Sequence, residues 1–259
     1  MRSSNPALKQ DIFSSSGFMS RTAQDHMTVD GAVQKTGILV ALICLSAGFV
    51  WSQIFSAAGL ESVPALQQGQ SLAYMASTIG FFGGLILAFA TIFKPVWAPY
   101  TAPAYAVLEG LALGGISSVF EMKFPGIVVQ ATLLTFGTLV TMLMAYKAGV
   151  IQATEKFRSV VVMSTGAIAF TYLASMILGF FGVQMSFLHD SSPLSIGISL
   201  VVIVVAAMNL ILDFDMIEEG ASQRAPKHME WYSAFSLILT LVWLYMEFLR
   251  LLSKLNSRD

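Results

Sequence analysis

The chain has 259 residues, of which 56% are hydrophobic and only 11% are charged, and its mean hydropathy is +0.72. A soluble domain carries roughly 25% charged residues, and one this apolar would aggregate. The composition therefore indicates a membrane protein whose partner is the lipid bilayer. The net charge of −1 and the lack of a basic stripe argue against a nucleic-acid partner. The single cysteine, Cys44, excludes an intrachain disulfide and a thiolate metal site.

The first 36 residues are polar and rich in serine, and we expect them to form a cytosolic tail. No apolar core follows Arg2 closely enough for a cleavable signal peptide. A transmembrane domain of seven helices is expected over residues 37–255, followed by a short polar C-terminus at residues 256–259.

Seven apolar stretches follow the tail, each near the roughly 20 residues that a helix needs to cross the hydrocarbon core. Lipid offers no partner for backbone polar groups, and the alternating pattern of barrel strands is absent, so the spans are helices. The fold class predicted is an all-α, polytopic bundle of seven transmembrane helices, with short loops and small-residue contacts such as GFFGG at residues 80–84. The predicted spans are 37–57, 72–93, 99–120, 126–146, 159–183, 194–216 and 230–252.

The distribution of basic residues predicts the orientation. If the N-terminus is inside, ten Lys and Arg residues lie inside and four lie outside. Cytosolic loops carry the excess of basic residues, so the N-terminus is expected in the cytosol and the C-terminus outside. The basic C-terminal end is the one discordant feature, and it could instead mean that the last helix is shallow or re-enters.

Glu109 is the first candidate functional residue. It is the eleventh of 22 residues in the span 99–120, and no Lys, Arg or His lies at that depth in another span. A charge at the midplane costs a few kcal/mol on insertion scales. We therefore expect Glu109 to be neutral for much of the time or to face water or a cation in an ion pathway. The alternative is a protonated acid hydrogen-bonded to a hydroxyl or a backbone carbonyl.

Four carboxylates close the sixth apolar run: Asp213, Asp215, Glu218 and Glu219. Successive helical residues turn by 100°, so Asp213 and Asp215 point about 200° apart. One should face the bundle, and the other the headgroups or a loop. The acids either form a cation and proton site or are a solvated helix end balanced by nearby basic residues.

Glu230 returns to the same membrane side through a hairpin of about 13 residues. Carboxyls that lie close together cannot all stay ionised, so Glu230 could complete a pH sensor with Asp213 and Asp215. The alternative is an acid in a first helical turn, where the helix dipole favours it.

Glu247 and Arg250 are three residues apart in the last span. They are expected to form a local ion pair near the outer interface, with a pathway role for Glu247 as the alternative. No HExxH, GxSxG or phosphate-loop motif is present, and His26, His189 and His228 form no ligand set, so neither an enzyme nor a resident metal is expected.

Several stretches resemble one family. They are EGLALGG within KPVWAPYTAPAYAVLEGLALGGIS, LDFDMIEEG, APKHMEWYSAF and LVWLYMEFLRLL. In this order they are similar to the Bax inhibitor-1 / YccA family, particularly its bacterial branch, over residues 27–255. The resemblance implies a multi-pass protein of the bacterial inner membrane with a central last helix. It gives no oligomeric state.

The resemblance also implies a pH-sensitive cation leak in which Ca²⁺ is the permeant ion and no cofactor is bound. Gating in the family is attributed to a carboxyl pair between the sixth and last helices. The first partner corresponds to Asp215, with Asp213 as the alternative register. The last helix has Thr240 where an acid is expected, and Glu230 or Glu109 could replace that acid. A relative modulates a membrane protease, so the alternative function is a regulator that binds a membrane protease or a stress-response partner.

Overall fold

A computed structural model describes residues 26–57, 63–182 and 190–257 of the chain, with side chains omitted at 56–57, 63–68 and 180. Within these residues the fold is all α-helical, and seven helices are long and apolar enough to cross a membrane. The predicted fold class is therefore confirmed. The predictions for residues 1–25, for His189 and for the last two residues lie outside the described part. The helices are α1 Val29–Ala57, α2 Val63–Phe93, α3 Ala98–Lys123, α4 Ile127–Lys147, α5 Glu155–Phe180, α6 Pro193–Ser222 and α7 Met229–Asn256.

Three helices extend well beyond their apolar runs. Helix α1 begins at Val29 rather than at residue 37, α2 begins at Val63 rather than at residue 72, and α6 continues to Ser222 rather than ending near residue 216. The sequence located the runs that need lipid, whereas backbone hydrogen bonds continue a helix through polar residues as well. We call the membrane side where α1 begins the N side, and the side where α7 ends the C side.

Side chains accept hydrogen bonds from backbone N–H groups at the starts of α4 and α6. Glu121 of α3 accepts the backbone N–H groups of Gly126 (2.6 Å) and Val128 (3.2 Å), which satisfies the start of α4. Ser192 caps α6 by accepting the N–H of Ser195 at 3.2 Å. The same hydroxyl donates to Asp190 (2.7 Å), and this bond holds the pKa of that carboxyl below its ordinary value.

Close backbone contacts join α1, α2 and α3. Gly80 of α2 lies directly against the backbone of Leu108 and Ala112, and Gly110 of α3 lies against Ile43 of α1. A Cβ at either glycine would clash with backbone atoms, so only glycine allows this approach. The small-residue contacts predicted for GFFGG are confirmed.

Helix α7 occupies the centre of the bundle, as the resemblance implied. It packs against α1, α3, α4 and α6, and its residues Phe235, Ile238 and Leu249 are almost completely buried. Helix α5 is the opposite case, because it packs mainly against α6 and leaves most of its surface exposed. The seam between α6 and α7 is therefore interior, and the seam between α5 and α6 lies at the edge.

Candidate functional site

Asp213 lies between α6 and α7 and is only 5% exposed. Its Oδ1 accepts a hydrogen bond from Ser236 Oγ at 2.7 Å, and its Oδ2 accepts one from Thr240 Oγ1 at 2.6 Å. The two donors are one turn apart on α7, so they face α6 together. In the described part of the chain, no Lys, Arg or His forms an ion pair with Asp213.

When Asp213 is ionised, both of its oxygens can accept from these two hydroxyls. A proton on Asp213 would turn one oxygen into a donor, and the hydroxyl beside it would then accept that bond and turn its own hydrogen to another acceptor. Proton binding therefore reverses the direction of one hydrogen bond between α6 and α7. Thr240 stands where the family resemblance placed an acid, and here it supplies a hydroxyl donor instead.

Asp215 faces the opposite way, toward α5. Its Oδ2 is 2.6 Å from Nη2 of Arg158, whose side chain is half exposed. The same nitrogen lies 3.4 Å from Glu219. The Tyr146 hydroxyl of α4 donates to Glu218 at 2.9 Å. Asp213, the alternative register, thus lies against the last helix, as predicted for one of the two aspartates, whereas Asp215 contacts helix α5 and not the headgroups or a loop.

Glu230 is fully buried at the start of α7 but does not join the acids of α6. Its Oε1 accepts from Thr28 N (3.0 Å), from Thr28 Oγ1 (2.9 Å) and from Lys227 Nζ (2.8 Å). Met27 N donates to Ala225 O at 2.7 Å beside it. These contacts attach the start of α1 to the α6–α7 hairpin, so the geometry favours the structural alternative for Glu230.

Glu109 is half-buried between α2 and α3. It is hydrogen-bonded to Tyr105, one turn earlier on α3, and its Oε2 lies against Gly84 of α2. Tyr105 in turn packs edge-on against Phe235 of α7 with ring centroids 5.0 Å apart. Glu109 therefore reaches the central helix only through an aromatic contact.

The predicted pair in α7 is present and is part of a larger cluster. Glu247, 1% exposed, accepts from Arg250 Nη1 at 2.7 Å and from the Tyr172 hydroxyl of α5 at 3.0 Å. Lys254 is also buried, and its Nζ donates to Ser199 Oγ at 2.9 Å. Sequence reasoning missed Lys254, although its spacing of seven residues from Glu247 puts both on one face of α7.

Three polar residues of α5, spaced seven apart, attach this outlying helix to the bundle. Arg158 pairs with Asp215, and Tyr172 bonds to Glu247. Between them, Asn209 Nδ2 of α6 donates to Thr165 Oγ1 at 2.8 Å. A spacing of seven residues keeps side chains on one helical face, so the pattern was available in the sequence and was missed.

The acids do not assemble a resident metal site. In residues 26–57, 63–182 and 190–257 no group of three or more His, Cys, Asp or Glu side chains is arranged to hold a metal ion. The acidic end of α6 is instead a charged surface joined to Arg158, while Asp213 is a single carboxylate among hydroxyls.

Comparison with protein families fits the sequence order and the seven helices. The family model described as Bax inhibitor 1 like matches residues 5–257, nearly the whole chain. The chain belongs to the Bax inhibitor 1 like family. The match confirms the resemblance and extends it into the N-terminal segment, which the quoted motifs did not cover. Searches of curated proteins and of solved structures gave no match.

Proposed function

We propose that this member of the Bax inhibitor 1 like family is a pH-modulated cation leak that is controlled at Asp213, with Ca²⁺ as the permeant ion. The observation that carries the proposal is the buried Asp213 carboxylate, held by hydroxyls of Ser236 and Thr240 across the α6–α7 seam. An ionisable residue inside a membrane bundle is by default a candidate for an ion or proton pathway. The family is not known for enzymes, and we propose no reaction.

A proton and a cation would compete for the same carboxylate. Ca²⁺ prefers hard oxygen ligands, and Asp213 with its two hydroxyl neighbours offers carboxylate and hydroxyl oxygens. An arriving cation would rotate the hydroxyl hydrogens away and use their lone pairs. A proton would remove the negative charge that attracts the cation and would also change the contact between α6 and α7. Ion flow should therefore depend on pH.

The acidic surface on the N side supports the same proposal. Asp215, Glu218 and Glu219 outnumber the single Arg158 that pairs with two of them. A ring of carboxylates at a pore mouth raises the local concentration of cations. We place this N side in the cytosol of a bacterial cell, because basic residues such as Lys94 and Lys147 lie there.

The test is Ca²⁺ flux into dye-loaded proteoliposomes at pH 6, 7 and 8. Asp213→Asn keeps the size of the side chain but replaces one acceptor oxygen with a donor, as a proton would, and it cannot ionise, so its flux should no longer vary with pH. Asp215→Asn is the matched control, because it removes the same charge two residues away, and its flux should still vary. Pronounced pH dependence in Asp213→Asn, or no wild-type flux above empty liposomes at any pH, would refute the proposal.

One observation favours the alternative function, a regulator that binds another membrane protein. Helix α5 leaves most of its apolar surface exposed, including Phe170 (73%) and Met163 (67%). A partner helix could pack there without displacing any described helix. If the protein is such a regulator, Phe170→Ala or removal of residues 1–25 should abolish its effect on the partner membrane protein in cells. Asp213→Asn should leave that effect unchanged. The reverse pattern would support the leak.

A further inference from the structure

An apolar cavity of about 290 Å³ lies among α1, α3, α4 and α7, away from Asp213. Its walls are largely aliphatic and aromatic, with Leu113, Phe136 and Leu241 on three different helices. Cys44 and Gly48 of α1 line it and are exposed, so it opens beside α1 toward the bilayer. A molecule that reaches this cavity therefore comes from the lipid, not from water.

The cavity runs along the helices for about half the thickness of the membrane. Its lining on α4 runs from Val128, beside the C-side end of that helix, to Phe136 in the interior, and its lining on α1 runs from Trp51 back to Val40. At 1.5 Å per residue these stretches are about 12 and about 16 Å long. Half of a hydrocarbon core of roughly 30 Å is about 15 Å. On α4 the cavity thus begins near the C-side interface, and on α1, whose apolar run is 37–57, it continues past the middle of the membrane.

One polar pair interrupts the apolar walls. The hydroxyl oxygens of Ser117 and Tyr245 are 2.7 Å apart, and one donates to the other. That leaves one hydroxyl hydrogen of the pair for another acceptor. The other hydroxyls in the lining, Thr132 and Thr135, already donate to carbonyls of their own helix. The cavity therefore offers long apolar walls and one available donor.

We propose that this cavity binds one acyl chain of a phospholipid from the C-side leaflet, with the ester carbonyl accepting from the Ser117–Tyr245 pair. A hydrocarbon chain matches the apolar walls and the leaflet-length shape, and an ester carbonyl is the acceptor that a phospholipid carries at the upper end of its chain. Among the described residues no charged side chain lines the cavity, so the recognised part is the chain and its ester, not the headgroup.

Two glycines of α1 make a matched pair of variants. A Cβ at Gly48 or at Gly37 meets no heavy atom within 4 Å, so both positions accept a side chain without a backbone clash. Gly48 lines the cavity and Gly37 does not. Gly48→Leu should therefore fill the cavity, while Gly37→Leu adds the same side chain to the same helix elsewhere.

The experiment measures binding of dioleoyl phosphatidylglycerol to the delipidated full-length protein by native mass spectrometry. Wild type and Gly37→Leu should retain one lipid that Gly48→Leu binds about tenfold more weakly. Equal retention by all three proteins, or an equal loss in both variants, would overturn the proposal.

The single cysteine provides a second test that does not depend on the folding of a variant. Modifying Cys44 of the folded wild type with N-phenylmaleimide places a bulky group at the cavity and should release the retained lipid. Cys44→Ala treated in the same way should keep it. If the labelled wild type still holds its lipid, the acyl chain does not occupy this cavity.

Discussion

Asp213 and Asp215 are two residues apart on one helix, yet they lie in opposite environments. Asp213 faces the central helix α7, is 5% exposed and is held by two hydroxyls. Asp215 faces the outlying helix α5 and forms an ion pair with the half-exposed Arg158. The comparison shows that residue type and depth do not determine what an acid can do in a membrane bundle, because the neighbouring helix supplies its partners.

The two seams also differ in what a proton would change. An exposed ion pair contributes about 0–1 kcal/mol and weakens with salt, so neutralising Asp215 removes little. A buried carboxylate depends on its hydrogen bonds, which contribute about 1.5–3 kcal/mol each when one partner is charged. Protonation of Asp213 should therefore alter the α6–α7 contact, whereas loss of the ion pair between Asp215 and Arg158 should mainly loosen the edge of the bundle.

We expect the largest change in pH dependence from Thr240→Asp, which places an acid where the family resemblance led us to expect one. The Thr240 oxygen is 2.6 Å from Asp213, so two carboxyls at that distance cannot both ionise and one should keep a proton. The pH midpoint of Ca²⁺ flux should rise by about two or more pH units. Thr240→Asn is the control without a new charge. A midpoint for Thr240→Asp that equals that of Thr240→Asn would mean that Asp213 does not set the response.

Removing one donor should have a smaller effect. Thr240→Val deletes the hydroxyl that stabilises the charged form of Asp213, so protonation should become easier. The midpoint of the flux response should move upward by about one pH unit, because one such hydrogen bond is worth about 1.5–3 kcal/mol at most. Thr240→Ser keeps the hydroxyl and should behave like wild type. An unchanged midpoint in Thr240→Val would exclude this hydrogen bond from the mechanism.

The Asp215 side of the comparison can be tested by exchanging charges. Arg158→Asp should destabilise the protein slightly, and combining it with Asp215→Arg should recover most of that loss. Thermal unfolding in detergent at low and high salt measures both effects, and salt should shrink them. A large loss of stability that salt does not change would show that this pair is not the exposed contact that the structure describes.

Glu109→Gln should have the smallest effect on pH dependence. Glu109 contacts Tyr105 of α3 and Gly84 of α2, and neither of these contacts belongs to α6 or α7. Proteoliposome flux in this variant should keep the wild-type midpoint, even if its amplitude changes. A variant that loses pH dependence as Asp213→Asn does would move the sensor to the α2–α3 seam and would restore the pathway role that the sequence suggested.

Three features could be predicted from the amino-acid sequence alone: the seven spans, the opposite directions of Asp213 and Asp215, and the local pair of Glu247 with Arg250. Each of these depends on a local regularity: the length of an apolar run against the bilayer thickness, or the helical turn of 100° per residue. The same regularity would have revealed the spacing of Arg158, Thr165 and Tyr172 on α5.

Which aspartate faces α7 could be read from the tertiary structure but not from the sequence. The run before Asp213 is apolar on every side, so it carries no amphipathic pattern that would fix the rotation of α6 about its axis. The partners Ser236 and Thr240 lie 23 and 27 residues further along the chain, on a different helix. The separation of Glu230 from the acids of α6 could not be predicted for the same reason. Packing between helices sets the rotation of each helix and the pairing of its side chains, and a lipid-facing sequence encodes neither locally.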